Sequence, residues 1–313
     1  MKKNQFIKRL AKAGILTILA FAGLLVSVGH VSAQTKKIIF LAGPKDHGAP
    51  GRHEYEKDLR VLARCLDSSN VKGITTEVIV ARTPKDINDI KDAAAIVVLS
   101  SSDGSSQKQT HPLFPPKGNG RNYDPETMAY LKALDSLQKA GMGVVVLHWA
   151  VAVDNWAARK VYFNWFGGIY ISENNSNNPG GIWNMIPVES NKKHPILRGV
   201  QPWQYQDEIF AQYMVVPQDP NRTDLIMGEM RVENNPGVAR NGQPASPSKA
   251  SNRVVAFAYQ RDSGSRGVMF GGVDYHKDML EPNYLRFILN SIVWAAQIEV
   301  PKKGVTTTAK QLQ

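Results

Sequence analysis

The sequence holds a single cysteine, Cys65, in 313 residues. An internal disulfide is therefore excluded, and so is any zinc cluster built on cysteine. Cys65 sits in Leu59-Arg-Val-Leu-Ala-Arg-Cys-Leu, with apolar residues at helical spacing, and reads as a small buried hydrophobe. A basic stripe interleaved with aromatics is also missing, which argues against a nucleic-acid partner. The formal charge is +11, but five of those charges are Lys2, Lys3, Lys8, Arg9 and Lys12. Residues 1–33 carry no acid, so the rest of the chain keeps a scattered +6. No internal repeat is visible. Only one apolar run is long, from Ala13 to Val28, and it falls short of the about 20 residues that a spanning helix needs.

The run has a positive segment before it and Val31-Ser32-Ala33 after it. Positive region, apolar core and small-residue site read together as a secretory signal peptide cleaved near Ala33. A retained anchor is the alternative, and the shortness of the run argues against it. Without a cysteine at the cleavage point, a lipid anchor does not fit. The expected location is periplasmic or secreted, with no stable membrane insertion after cleavage. Residues 34–299 then form one domain and residues 300–313 a flexible polar tail.

Within the domain, residues 37–43 are an apolar run ending in glycine, read as a buried first strand. An amphipathic helix over 53–68 follows, then strands over 76–81 and 94–100. Asp124 and Pro125 open a helix that Gly141 stops, and 143–148 is a fourth buried strand. Strand–helix alternation with strands apolar on both faces predicts an α/β fold. Its sheet is mostly parallel, with helices on both faces in flavodoxin-like layering. The second half is richer in strands, at 182–188, 225–228, 253–259 and 267–272, and closes with a helix over 282–297. Two long loops, 101–124 and 233–252, interrupt the pattern. The first leaves the C-terminal end of a strand, where open α/β sheets bind ligands.

Several segments then resemble the ThuA-like (trehalose-utilisation) family. Leu41-Ala-Gly-Pro-Lys-Asp-His-Gly-Ala-Pro-Gly-Arg-His-Glu-Tyr55 is similar to its opening loop, and Gly143-Val-Val-Val-Leu-His-Trp-Ala150 to a strand that ends in histidine. Trp165-Phe-Gly-Gly168, His194-Pro-Ile-Leu-Arg-Gly-Val200, Asp207-Glu208, Arg266-Gly-Val-Met-Phe-Gly-Gly272 and Leu289-Asn-Ser-Ile-Val-Trp-Ala-Ala296 follow in the family's order. The resemblance implies a fold like that of class I glutamine amidotransferases, and a part in the metabolism of trehalose or similar sugars. In that fold a strand elbow can hold a nucleophilic cysteine. The matching turn here holds His148, so glutaminase chemistry is not expected. Many relatives carry histidine after the last Gly-Gly; this chain has Val273, with His276 three residues on.

The residues themselves supply imidazoles and carboxylates. Asp46, His47, His53 and Glu54 follow the first strand, Asp103 the third and His148 the fourth, while Asp207 and Glu208 lie further on. Asp274 and His276 could join them. Such groups suit proton transfer near neutral pH, and a divalent cation such as zinc or manganese. His148, Glu208 and His53 are the candidate catalytic residues and also the candidate metal ligands. His47, Asp46, Asp103, Trp149, Asp207 and His276 are the candidate substrate contacts. Against this, His111 can be solvated, His194 suits a structural turn, Asp207-Glu208 can be an ordinary exposed pair, and most tryptophans suit a core. Two functional classes stay open: an enzyme acting on a disaccharide or keto-sugar, and a non-catalytic sugar-binding or accessory protein. A metal-dependent hydrolase is a third.

Overall fold

Five strands form the parallel half of one sheet. They are β1 (Lys36–Ala42), β2 (Ile74–Val80), β3 (Ala95–Leu99), β4 (Gly143–Leu147) and β11 (Arg266–Phe270), numbered in chain order. Their order is β2-β1-β3-β4-β11, and each neighbouring pair is parallel. β3 and β4 are buried at every position, as strands covered on both faces must be. Alternate residues feed two cores. Ile38, Phe40 and Ala42 pack with helices α1 (Tyr55–Asp67) and α5 (Pro282–Ala295) on one face. Ile39 and Leu41 pack on the other with α3 (Pro125–Lys139) and α4 (Trp156–Phe166). A short α2 (Ile87–Ile90) precedes β3.

This computed structural model describes residues 35–80, 86–103, 111–115, 123–170, 180–230 and 251–309, all in the unit Thr35–Gln313. The segment read as a signal peptide, and much of both long loops, lie outside the described residues. No helix among the described residues is long and apolar enough to cross a membrane.

Beyond β11 the sheet continues antiparallel through β10 (Ser251–Gln260), β9 (Arg222–Met230), β6 (Gly180–Pro187) and β7 (Trp203–Glu208). A separate pair, β5 (Gly168–Tyr170) with β8 (Tyr213–Val215), follows α4. The expected α/β architecture is present. Two functional elements escape a sequence reading. Helix α4 is announced only by its caps, Asn155 accepting from Ala157 N and Gly167 in a left-handed conformation. Strand β7 alternates inward Trp203, Tyr205 and Asp207 with outward Gln204 and Gln206. That period of two carries Asp207 inward with its aromatic neighbours, so Asp207 is no exposed partner of Glu208.

The expected flexible tail is a second correction. Residues 300–309 dock on the domain. Val300 and Val305 are buried, and Thr307 bridges to Ser69. Buried Asn290 is the clasp. Its Nδ2 donates to the Ile196 and Arg198 carbonyls at 2.8 and 3.0 Å, and its Oδ1 accepts from Val305 N at 2.7 Å. Asn290→Ala strands all three backbone groups. It should lower stability in urea by about 3 kcal/mol or more, since each of the three orphans costs about 1–3, and speed proteolysis after residue 299. An unchanged midpoint would show that the clasp does not hold the segment.

Candidate functional site

β1, β3, β4 and β11 all end on one side of the sheet. The segments leaving them, 43–54, 100–103, 148–151 and 271–276, converge there with the end of β7. This is where open α/β sheets place ligands. His148 ends β4 with φ +51°, and His53 shares that value. Left-handed backbone is unusual for residues with a Cβ and concentrates at functional sites. The elbow expected at His148 is therefore present, and it holds an imidazole. Beside His53, Gly48 has φ +84°, and a Cβ there would stand 2.5 Å from His53 Cδ2, so only glycine lets the loop close.

The floor consists of His53, His148 and Asp274. One ligand atom from each lies within 4.8 Å of the others, and all three residues are buried. His53 Nε2 stands 3.4 Å from Asp274 Oδ1, too far for a normal hydrogen bond. Neither ring nitrogen of His148 reaches a hydrogen-bond partner among the described residues, nor does Asp274 Oδ1. Burial drives the pKa of both imidazoles down to about 3. At His53 the nearby His148 adds to this and Asp274 opposes it; at His148 the carbonyls of Gly271 and Glu208 oppose it without reaching bonding geometry. Both rings are neutral at pH 7, the form that binds metals.

Around the floor runs a hydrogen-bonded collar. The Tyr55 hydroxyl lies 3.2 Å from His53 Nδ1 and 3.1 Å from Ser101 Oγ. Ser101 Oγ donates to both oxygens of Asp46, at 3.0 and 2.9 Å, and Asp46 Oδ1 lies 2.6 Å from His47 Nδ1. On the other side Arg52 donates to Asp274 Oδ2 from Nε at 2.6 Å and to Glu208 Oε2 from Nη2 at 2.6 Å.

The mouth is formed by groups that solvent reaches. Side-chain exposure is 25% at His47, 31% at Arg52 and 23% at Glu208, against 5% at His53 and none at Asp274. The half-buried Trp149 completes it. Its ring stacks on Phe210 at 6.1 Å and meets the edge of His47 at 5.1 Å. His47 lies over His53, with ring centroids 3.9 Å apart.

Of the residues expected at a site, the structure thus brings together His47, His53, His148, Asp46, Trp149 and Glu208. Glu208 pairs with Arg52 at the mouth; the third donor of the floor is Asp274. Three others sit elsewhere. Asp103 accepts from Asp154 N at 2.7 Å and Asn155 N at 3.2 Å and braces the start of α4, with burial raising its pKa to about 6. Asp207 is fully buried and accepts from the backbone of Val273, Asp274 and Glu208. His276 lies behind the floor, its Nδ1 2.5 Å from Asp58 Oδ1. His111 is buried and lies 3.1 Å from the Tyr162 hydroxyl, and His194 caps a short turn. Arg52, Tyr55 and Ser101 escape a sequence reading because their roles arise only from contacts across the fold. Two clefts of about 460 and 470 Å³ open at the other end of the sheet around Arg261 and Asp262. Neither gathers imidazoles, and chemistry outweighs cavity size in placing the site.

The fold matches many solved structures, two of them ThuA-like proteins. One is a ThuA-like protein from Bacteroides uniformis, 12% identical, with a TM-score of 0.55, covering 86% of this chain and 94% of that one. The other is a ThuA-like protein from Parabacteroides merdae, 15% identical, with a TM-score of 0.52, covering 90% and 99%. At these identities the likeness establishes a shared fold. No family model matches the sequence, and no curated protein matches it.

Behind the floor, Asp278 has its pKa raised to about 7, first by burial and then by the Asp274 and Asp58 charges against the pull of Lys277. Its folded value lies above its unfolded value near 3.8, so the folded state holds the proton more tightly and this carboxyl's contribution to stability falls as pH rises from about 4 to about 7. Asp278→Asn removes that penalty. The variant should gain melting temperature relative to wild type on going from pH 4.5 to pH 8. A difference independent of pH would show that Asp278 ionises normally.

Proposed function

We propose that this chain is an exported member of the ThuA-like group that processes a disaccharide or keto-sugar by proton transfer in the cleft between His47, Arg52, Trp149 and Glu208. The observation that carries the reading is the His47–Asp46 pair. Asp46 lies 2.6 Å from His47 Nδ1, and a carboxylate there holds the ring proton on Nδ1. Nε2 is left as the proton acceptor. The ring is part-exposed beside the Trp149 indole. An imidazole base next to an aromatic face suits removal of a proton beside a sugar carbonyl while the ring of the sugar stacks. Arg52 is placed to stabilise the oxyanion that forms. His148 is too deeply buried to touch substrate and belongs to the support of the site. The sequence resemblance to the ThuA-like family supports the sugar class, and the N-terminal charge and apolar pattern supports export.

A second reading, a sugar-binding protein without turnover, is favoured by the elbow, which carries a buried imidazole in place of a nucleophile. One experiment separates the two. The protein is incubated with trehalose and other disaccharides and their 3-keto derivatives, and products are followed by NMR. His47→Ala should lower turnover by about 10²–10⁴, the usual contribution of a general base. Trp149→Ala should act mainly on KM. Raised melting temperature with sugar recovered unchanged supports the binding protein. No shift and no product with any sugar sinks both.

A further inference from the structure

We propose that His53 Nε2, one ring nitrogen of His148 and Asp274 Oδ1 bind one divalent cation of the zinc or manganese class in the floor of the cleft. The geometry points to this through the placement of protons. Ser101 has one hydroxyl proton, and Oγ donates it to Asp46. Toward Tyr55, 3.1 Å away, Ser101 can then only accept. The Tyr55 proton goes to Ser101, so toward His53 Nδ1, 3.2 Å away, the Tyr55 oxygen in turn accepts. The proton of neutral His53 therefore sits on Nδ1, and Nε2 presents a lone pair.

That lone pair faces Asp274 Oδ1 at 3.4 Å. The other oxygen of Asp274 is engaged by Arg52 through Nε and Nη2, at 2.6 and 2.5 Å, so Oδ1 also presents lone pairs. Two acceptors aimed at each other in a buried place repel unless something positive lies between them. The unpartnered His148 ring adds a third acceptor within 4.8 Å. A tetrahedral ion with bonds of about 2.1 Å holds neighbouring ligand atoms about 3.4 Å apart, which is the His53–Asp274 spacing. Two imidazoles and one carboxylate leave a fourth position for water or substrate, as catalytic zinc sites do. Tyr55 and Arg52 are then the outer partners that fix ring tautomer and carboxylate orientation.

The inference concerns the same cleft as the sugar reading but does not need a sugar to be tested. The purified protein is stripped with a chelator, dialysed, and titrated calorimetrically with Zn²⁺ and with Mn²⁺, with melting temperature read in parallel. One ion per chain should bind, and the melting temperature should rise with metal and fall with chelator. Asp274→Asn and His53→Gln should each weaken binding at least tenfold. Arg52→Met, which touches no ion, should weaken it by about 10–100-fold, while His194→Gln should leave it unchanged. Less than a tenth of an ion per chain with no change in melting temperature overturns the site. So does wild-type affinity in folded Asp274→Asn and His53→Gln. Should both variants unfold, the stoichiometry and chelator response of the wild type decide alone. Metal binding with sugars left intact would keep this site and remove the enzyme reading. Sugar turnover by a protein that binds less than a tenth of an ion per chain would do the reverse.

Discussion

Val273 is a β-branched residue at φ +101°, a backbone state that costs about 1–3 kcal/mol and persists only where the surroundings enforce it. What enforces it is the buried carboxyl of Asp207. Its Oδ2 accepts from Val273 N at 3.0 Å, and its Oδ1 from Asp274 N at 3.1 Å and Glu208 N at 2.8 Å. Burial, with the charges of Asp278 and Asp274, pushes the Asp207 pKa well up, and the bond from Val273 N opposes that shift. This bracket ties the last antiparallel strand to the turn after β11. The turn is then stitched to the loop after β1, His53 N donating to the Asp274 carbonyl at 3.0 Å and His276 N to the Gly51 carbonyl at 2.9 Å. Asp274, Arg52, His53 and Glu208 thus owe their mutual positions to one carboxyl that never meets the solvent.

This ordering of parts explains what the sequence made legible. The parallel half was readable because β3 and β4 are apolar at every residue and separated by helix caps, all local signals. His47, His53 and His148 were readable because each follows the end of a parallel strand, and the topology of such sheets brings those ends together. Asp207 and Asp103, expected as substrate contacts, instead accept from backbone N–H groups. A carboxylate that braces backbone N–H groups has the same letter as one that meets substrate, and only its burial tells them apart. Arg52 looks like any loop arginine until Asp274, far along the chain, is folded against it. The tail over 300–309 reads as polar because its docking rests on two buried valines and one asparagine on α5, too sparse a pattern to show periodicity.

The cleft divides into a dry floor and a wet mouth, and the division follows from charge. A buried carboxylate needs a compensating cation, and Arg52 serves Asp274 while its far edge reaches Glu208 at the mouth. Neutral imidazoles can be buried beside it at lower cost than charged ones, so His53 and His148 line the floor. His47 keeps contact with solvent.

The elbow after β4 holds His148 in the left-handed conformation. Strain of that kind clusters where the aim of a side chain matters. At 0% exposure the aim is inward, toward His53 and Asp274. In the sugar reading proposed above, the reacting atoms of the ligand lie between His47, Arg52 and Glu208, with Trp149 as the wall against which an apolar sugar face rests.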